Sequence, residues 1–100
     1  MNRKFIVALD QGSSASRALA VDEKGRVALR AMSAVETLRP AEGLAEFDAW
    51  ELLKGQLDAL FGVLSQIGLE KTACIAVASQ RSTVVFWDRL TGKPVAPALS

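Results

Sequence analysis

The run Ala73-Cys74-Ile75-Ala76-Val77-Ala78-Ser79 carries no charge and no polar/apolar alternation. Such a strand is covered on both faces, the pattern of a central parallel strand. A parallel partner needs a crossover connection, usually a helix. Both are encoded upstream. Phe5-Ile6-Val7-Ala8-Leu9 is a short apolar run without helical spacing, hence a buried strand. Asp48 opens a helix, its carboxylate placed to cap backbone N–H groups and Glu51 three residues on placed to reach back. Trp50, Leu53, Leu57, Leu60, Phe61 and Leu64 recur at steps of three and four and predict its buried stripe, Trp50 included. Gly55 and Gly62 each cost about 1 kcal/mol inside a helix, which points to close packing on a sheet. Gly68 is the stop.

Between the first strand and the helix lie a second strand from about Ser16 to Val21, a tight Asp22-Glu23-Lys24-Gly25 loop, and a half-exposed third strand from Arg26 to about Val35. The three form an antiparallel meander. Glu36 to Phe47, with Pro40 and Gly43, reads as a loop. Beyond the apolar run, Thr83 to Asp88 predicts a fifth strand, Leu90-Thr91-Gly92-Lys93 a turn, and Pro94 to Ser100 an irregular tail. The fold class is α/β: meander, crossover helix, parallel strand. A strand apolar on both faces calls for helices on two sides and one is encoded, so the expected domain is incomplete, with partial ordering or self-association through an uncovered sheet face as the consequence.

Ligands of such sheets gather outside the carboxyl ends of the strands. Asp10 ends one strand and Gln80-Arg81-Ser82 ends its parallel neighbour, so the two polar clusters are expected at one edge. Asp10-Gln11-Gly12-Ser13-Ser14-Ala15-Ser16-Arg17 puts a carboxylate, a glycine, three hydroxyls and an arginine within eight residues. That set suits polyphosphate. Asp10 fits a Mg²⁺ ion held through water, Gly12 permits a sharp turn or a close approach, and the N–H groups and hydroxyls of Ser13 and Ser14 can face phosphate oxygens. Arg17 adds a permanently charged fork. The same residues also suit an ordinary polar hairpin loop. Neither G-x-x-x-x-G-K-[ST] nor G-x-G-x-x-G is present.

Within 100 residues the net charge is +1, which gives no reason to expect nucleic acid or an anionic membrane as partner. Asn2-Arg3-Lys4 precedes an apolar run that Asp10 breaks too early for a signal peptide or a membrane span. Cys74 is the single cysteine, read as a buried inert thiol; it cannot form an internal disulfide, which fits a reducing cytoplasm. No histidine is present to act as a base.

Several stretches in order carry a resemblance: Leu9 to Arg17, Gly43-Leu44-Ala45-Glu46-Phe47-Asp48, Ser79-Gln80-Arg81-Ser82-Thr83, Trp87-Asp88 and Thr91-Gly92-Lys93-Pro94. Together they resemble the opening of the FGGY-family carbohydrate kinases, and among these the glycerol kinases. The resemblance implies a ribonuclease H-like core of the actin-like ATPase type. It makes residues 1–100 the N-terminal portion, about a fifth, of the first domain of a two-domain kinase. It implies ATP and Mg²⁺ as cofactors, a small sugar or polyol as acceptor, and a cytoplasmic enzyme whose catalytic base lies beyond Ser100. By resemblance Asp10 serves the metal, Gly12, Ser13, Ser14 and Arg17 the phosphates, and Gln80, Arg81 and Ser82 the acceptor. Ala15 stands where those kinases have a serine. Ser82 stands where glycerol kinases have a glutamate, and a neutral hydroxyl accepts less strongly than a carboxylate, which argues against glycerol. The Met-His usual in xylulose kinases is absent too. This piece alone is expected to be inactive. The alternative is a non-catalytic nucleotide-binding protein of the actin-like ATPase fold.

Overall fold

The computed structural model describes residues 4–100; Asn2 and Arg3 of the basic start lie outside them. In chain order the elements are β1 (Phe5–Gln11), β2 (Ala15–Val21), β3 (Val27–Ala34), β4 (Glu46–Phe47), α1 (Ala49–Ile67), β5 (Thr72–Ala78) and β6 (Ala98–Leu99). The main sheet has the order β3-β2-β1-β5. β1 and β2 pair antiparallel, as do β2 and β3, and β5 lies parallel to β1. The meander, the crossover and the parallel strand stand as the sequence predicts.

The β2–β3 turn closes on Gly25, whose φ of 78° is left-handed, a conformation glycine adopts without a Cβ clash. Asp22 Oδ1 accepts from the N–H groups of Lys24 and Arg26, both at 2.9 Å, and its Oδ2 meets Arg26 Nε at 3.2 Å. These bonds, that from the Arg26 N–H first, hold the carboxyl below its ordinary value. A depressed folded-state value favours the fold above the ordinary aspartate range, and that support is lost as pH falls through the depressed value. Asp22→Asn should therefore flatten the acid limb of the unfolding midpoint against pH and leave the neutral limb parallel to wild type.

Asp48 caps α1 in one direction: its Oδ1 accepts from the N–H groups of Trp50 at 2.9 Å and Glu51 at 3.2 Å. No return bond from the Glu51 side chain is found among the described residues. Gly68 ends the helix with its N–H on the Leu64 carbonyl. The buried face is not the expected stripe. Leu52, Gly55, Ala59 and Val63 are the buried residues of the helix, while Trp50 is 54% and Phe61 58% exposed, with Leu53 and Leu57 also outward. At 100° per residue the two stripes lie on opposite sides of the helix. Leu60 and Leu64 pack at the flank of the core.

Side-chain size explains the choice. The sheet below presents Ser16, Ala18, Ala20, Ala31 and Ser33, and a Cβ on Gly55 would stand 3.3 Å from Ser16 Oγ, one on Gly62 3.1 Å from Ala31 Cβ. Small residues on both elements let the helix settle close; the large stripe would hold it off. Val63→Ala, at a fully buried position, should cost about 2 kcal/mol in equilibrium unfolding. Phe61→Ala should cost less than about 1 kcal/mol despite the larger truncation.

α1 lies across β1, β2 and β3 and leaves β5 to one side. β5 is exposed from Ala73 to Ala78, so neither of its faces is covered and Cys74 is an exposed free thiol rather than a buried one. Thr83–Asp88 is not a strand either. Single bridges join Val84 to Leu99 and Trp87 to Pro94, and the expected irregular tail contains β6, which pairs with β4. Phe47, Leu52 and Ala98 form a second small core there, with Val35 and Val85 against it. Among the described residues, no helix is long and apolar enough to cross a membrane.

Candidate functional site

Because β1 and β5 run the same way, with Asp10 level with Ala78, the segments that follow them emerge at one edge. There they line a cleft of about 400 Å³ whose walls include Asp10, Gly12 and Ser13 on one side and Gln80, Arg81 and Ser82 on the other. The juxtaposition expected from topology is present. A cleft of about 480 Å³ lies elsewhere, between Leu38, Trp50 and residues 93–97. The carboxylate there, Asp48, is already engaged as the helix cap, and we assign it no chemistry.

The β1–β2 connection is held by the Gly12 N–H on the Ala15 carbonyl at 2.9 Å. Gly12 is not among the glycines of positive φ, so no left-handed turn requires it. Room does. A Cβ at this position would lie 3.0 Å from the Ala15 carbonyl and 3.2 Å from Arg17 Nη1. The guanidinium therefore lies against the bare backbone of the hairpin. Arg17 and Asp10 are directly paired across β1 and β2, which puts both on one sheet face, opposite α1. They form no direct ion pair among the described residues.

The hairpin carbonyls are engaged within the chain. The Ser13 carbonyl accepts from Thr37 Oγ1 at 3.4 Å and the Ser14 carbonyl from the Val35 N–H at 2.8 Å. Ser13 and Ser14 are exposed, and no hydrogen bond from either hydroxyl is found among the described residues. The Ser13 hydroxyl is thus left as a donor at the cleft while the carbonyls beside it are occupied, an arrangement suited to an anion; Ser14 and Arg17 stand on the hairpin beyond the cleft walls.

Sequence reasoning passed over Gln11. It is 6% exposed and shares its strand face with Val7 and Leu9. Its Oε1 accepts from the buried Ser16 hydroxyl at 2.9 Å and its Nε2 donates to the Gly12 carbonyl at 3.1 Å. The period-two pattern of β1 was the available signal, since an inward polar residue needs a partner. On the other wall Arg81 and Ser82 are exposed, and Gln80 is half-buried and bonded to both Gly12 and Thr83. The Leu90–Lys93 turn is structural: Asp88 Oδ1 accepts from the N–H groups of Leu90 and Thr91, and these bonds, that from Thr91 first, hold its carboxyl below the ordinary value.

No group of three metal-binding side chains exists among the described residues. The half-buried Asp10 offers a single carboxylate, a donor set that would fit Mg²⁺ held through water rather than a metal caged by protein.

The family model for the FGGY carbohydrate kinases, N-terminal domain, matches residues 5–100. A glycerol kinase of Shewanella pealeana is 37% identical over 99% of this chain, and an apulose kinase of Pectobacterium atrosepticum 36% identical over all of it. The chain spans about a fifth of the length of each of these curated relatives. Among solved structures, Plasmodium falciparum glycerol kinase with ADP superposes with a TM-score of 0.86 at 24% identity, covering 98% of this chain and 20% of that one. That likeness gives the fold, an α/β core matching the N-terminal part of an actin-like ATPase domain.

Proposed function

The chain belongs to the FGGY family of carbohydrate kinases, and we propose that the full-length protein transfers a phosphoryl group from ATP to a hydroxyl of a small sugar or polyol. The chain then forms the opening of the first of two ribonuclease H-like domains. The observation that carries this reading is the single cleft lined by Asp10 and the β1–β2 hairpin on one wall and by Arg81 on the other.

Phosphoryl transfer asks a protein for position and charge rather than covalent chemistry. Gly12, Ser13 and Ser14 receive the phosphates and Arg17 supplies a fixed positive charge beside them. Asp10 would hold the hydrated Mg²⁺, which neutralises phosphate charge when bound. Arg81 and Ser82, exposed at the cleft, form the acceptor side, and Gln80, bonded to Gly12 and Thr83, stands behind them. By resemblance to the family, the base that takes the acceptor's proton comes from outside residues 1–100, and these residues alone are inactive. The single cysteine fits a cytoplasmic enzyme.

Relatives named for different acceptors match at nearly equal identity, so identity does not select the sugar. Ser82, a neutral hydroxyl rather than a carboxylate, favours an acceptor other than glycerol. The test is ADP release by the full-length protein with Mg·ATP across a panel of polyols and sugars. Turnover with one class of acceptor supports the proposal. Nucleotide binding without transfer to any acceptor would instead make it a non-catalytic relative.

A further inference from the structure

Both ends of the Gln80 amide are engaged inside the chain. Its Nε2 donates to the Gly12 carbonyl at 3.2 Å, 68 residues away in sequence, and its Oε1 accepts from the Thr83 hydroxyl at 2.7 Å. The same Gly12 carbonyl accepts from Gln11 Nε2, and Gln11 Oε1 takes the Ser16 hydroxyl. One line of hydrogen bonds thus runs Thr83–Gln80–Gly12–Gln11–Ser16 and joins the two walls of the cleft.

The geometry of the peptide bond gives this line a consequence. In a planar trans peptide the C=O and the N–H of the same unit point in opposite directions. A Gly12 carbonyl held by two side-chain amides fixes the opposite heading of the Ser13 N–H, which belongs to the same unit. The inner end is anchored, since Gln11 and Ser16 are buried. The outer end is not, because Gln80 leads directly into the exposed Arg81 and Ser82.

Resting on the kinase reading, the geometry points to Gln80 as a positioning residue that touches neither ligand. It aims the Ser13 N–H at a phosphate and couples that aim to the acceptor side. An acceptor that settles Arg81 and Ser82 also settles Gln80, so the nucleotide then meets a hairpin already held. Coupling of this kind is reciprocal between the two ligands.

The test uses the full-length protein, with Mg·ADP as the nucleotide probe, titrated alone and with the panel compound that wild type phosphorylates. Gln80→Met keeps the length of the side chain and removes both bonds without adding charge. It should weaken Mg·ADP binding about fivefold in the acceptor's presence, the loss of about one neutral hydrogen bond. The acceptor-dependent gain in nucleotide affinity should shrink towards one, while the acceptor's own affinity in the absence of nucleotide stays within about twofold. Thr83→Val, which frees only the far end of Gln80, should give the same pattern at about twofold. Weaker acceptor binding with nucleotide affinity unchanged would make Gln80 a direct acceptor contact and overturn the inference. So would unchanged affinities, or equal losses for both ligands with a lower unfolding temperature. A wild type that phosphorylates nothing on the panel would remove the kinase reading itself, a distinct outcome.

Discussion

Asp10→Asn in the full-length protein lowers turnover on the order of 10²- to 10³-fold, the range for losing one preorganised electrostatic contact, and leaves acceptor binding within about twofold. Asparagine keeps the size of the side chain and one acceptor oxygen but loses the charge that orders water on a divalent cation. Asp10 stands at the end of β1 beside Ala78 of β5 and across from Arg17. Its half-buried position strengthens its pull on a nearby cation relative to open solvent. The loss should fall on kcat and be partly relieved by raised Mg²⁺, with the acceptor KM steady. Turnover that survives the change removes Asp10 from the metal.

Arg81→Ala produces the complementary result, an acceptor KM raised about 10- to 100-fold, the worth of charge-assisted hydrogen bonds to the ligand's hydroxyls. Arg81 is exposed at the cleft wall, and no ion pair of it is found among the described residues. The substitution should therefore cost the fold little, and the unfolding temperature serves as the control. Arg81→Lys should recover only part of the loss, since an ammonium is a point charge without the planar fork. An unchanged acceptor KM takes this arginine out of the pocket.

What the sequence made legible was carried by local signals. Asp48 and Gly68 mark both ends of α1 as caps do, and Gly25 closes its turn. The apolar runs at Phe5 and Ala73 placed the parallel pair and, through it, the common edge of Asp10 and Gln80-Arg81-Ser82. The face of α1 was not legible, because the helix is apolar on two opposite sides and periodicity cannot rank them. The deciding fact is non-local: Ser16, Ala31 and Ser33 on the sheet are small, and Gly55 and Gly62 come close to them. Large residues won the sequence argument and lost the packing one.

Cys74 failed for a related reason. An apolar strand says that cover is wanted, not that a neighbouring helix supplies it, and α1 sits over the meander instead. β4 and β6 span two residues each, too few to leave a pattern, and Pro94 and Pro97 mask the return strand further. In the site, Gly12 was read for a sharp turn or a close approach, and what comes close is the Ala15 carbonyl and the Arg17 guanidinium.

One co-crystal structure of the full-length protein with a Mg·nucleotide and a phosphorylatable acceptor tests the central claim most directly. The account predicts a phosphate at the Ser13 and Ser14 donors, the metal's water shell facing Asp10, and an acceptor hydroxyl at Arg81 within the same cleft. A nucleotide seated away from the β1–β2 hairpin, or an acceptor bound without Arg81, would contradict it.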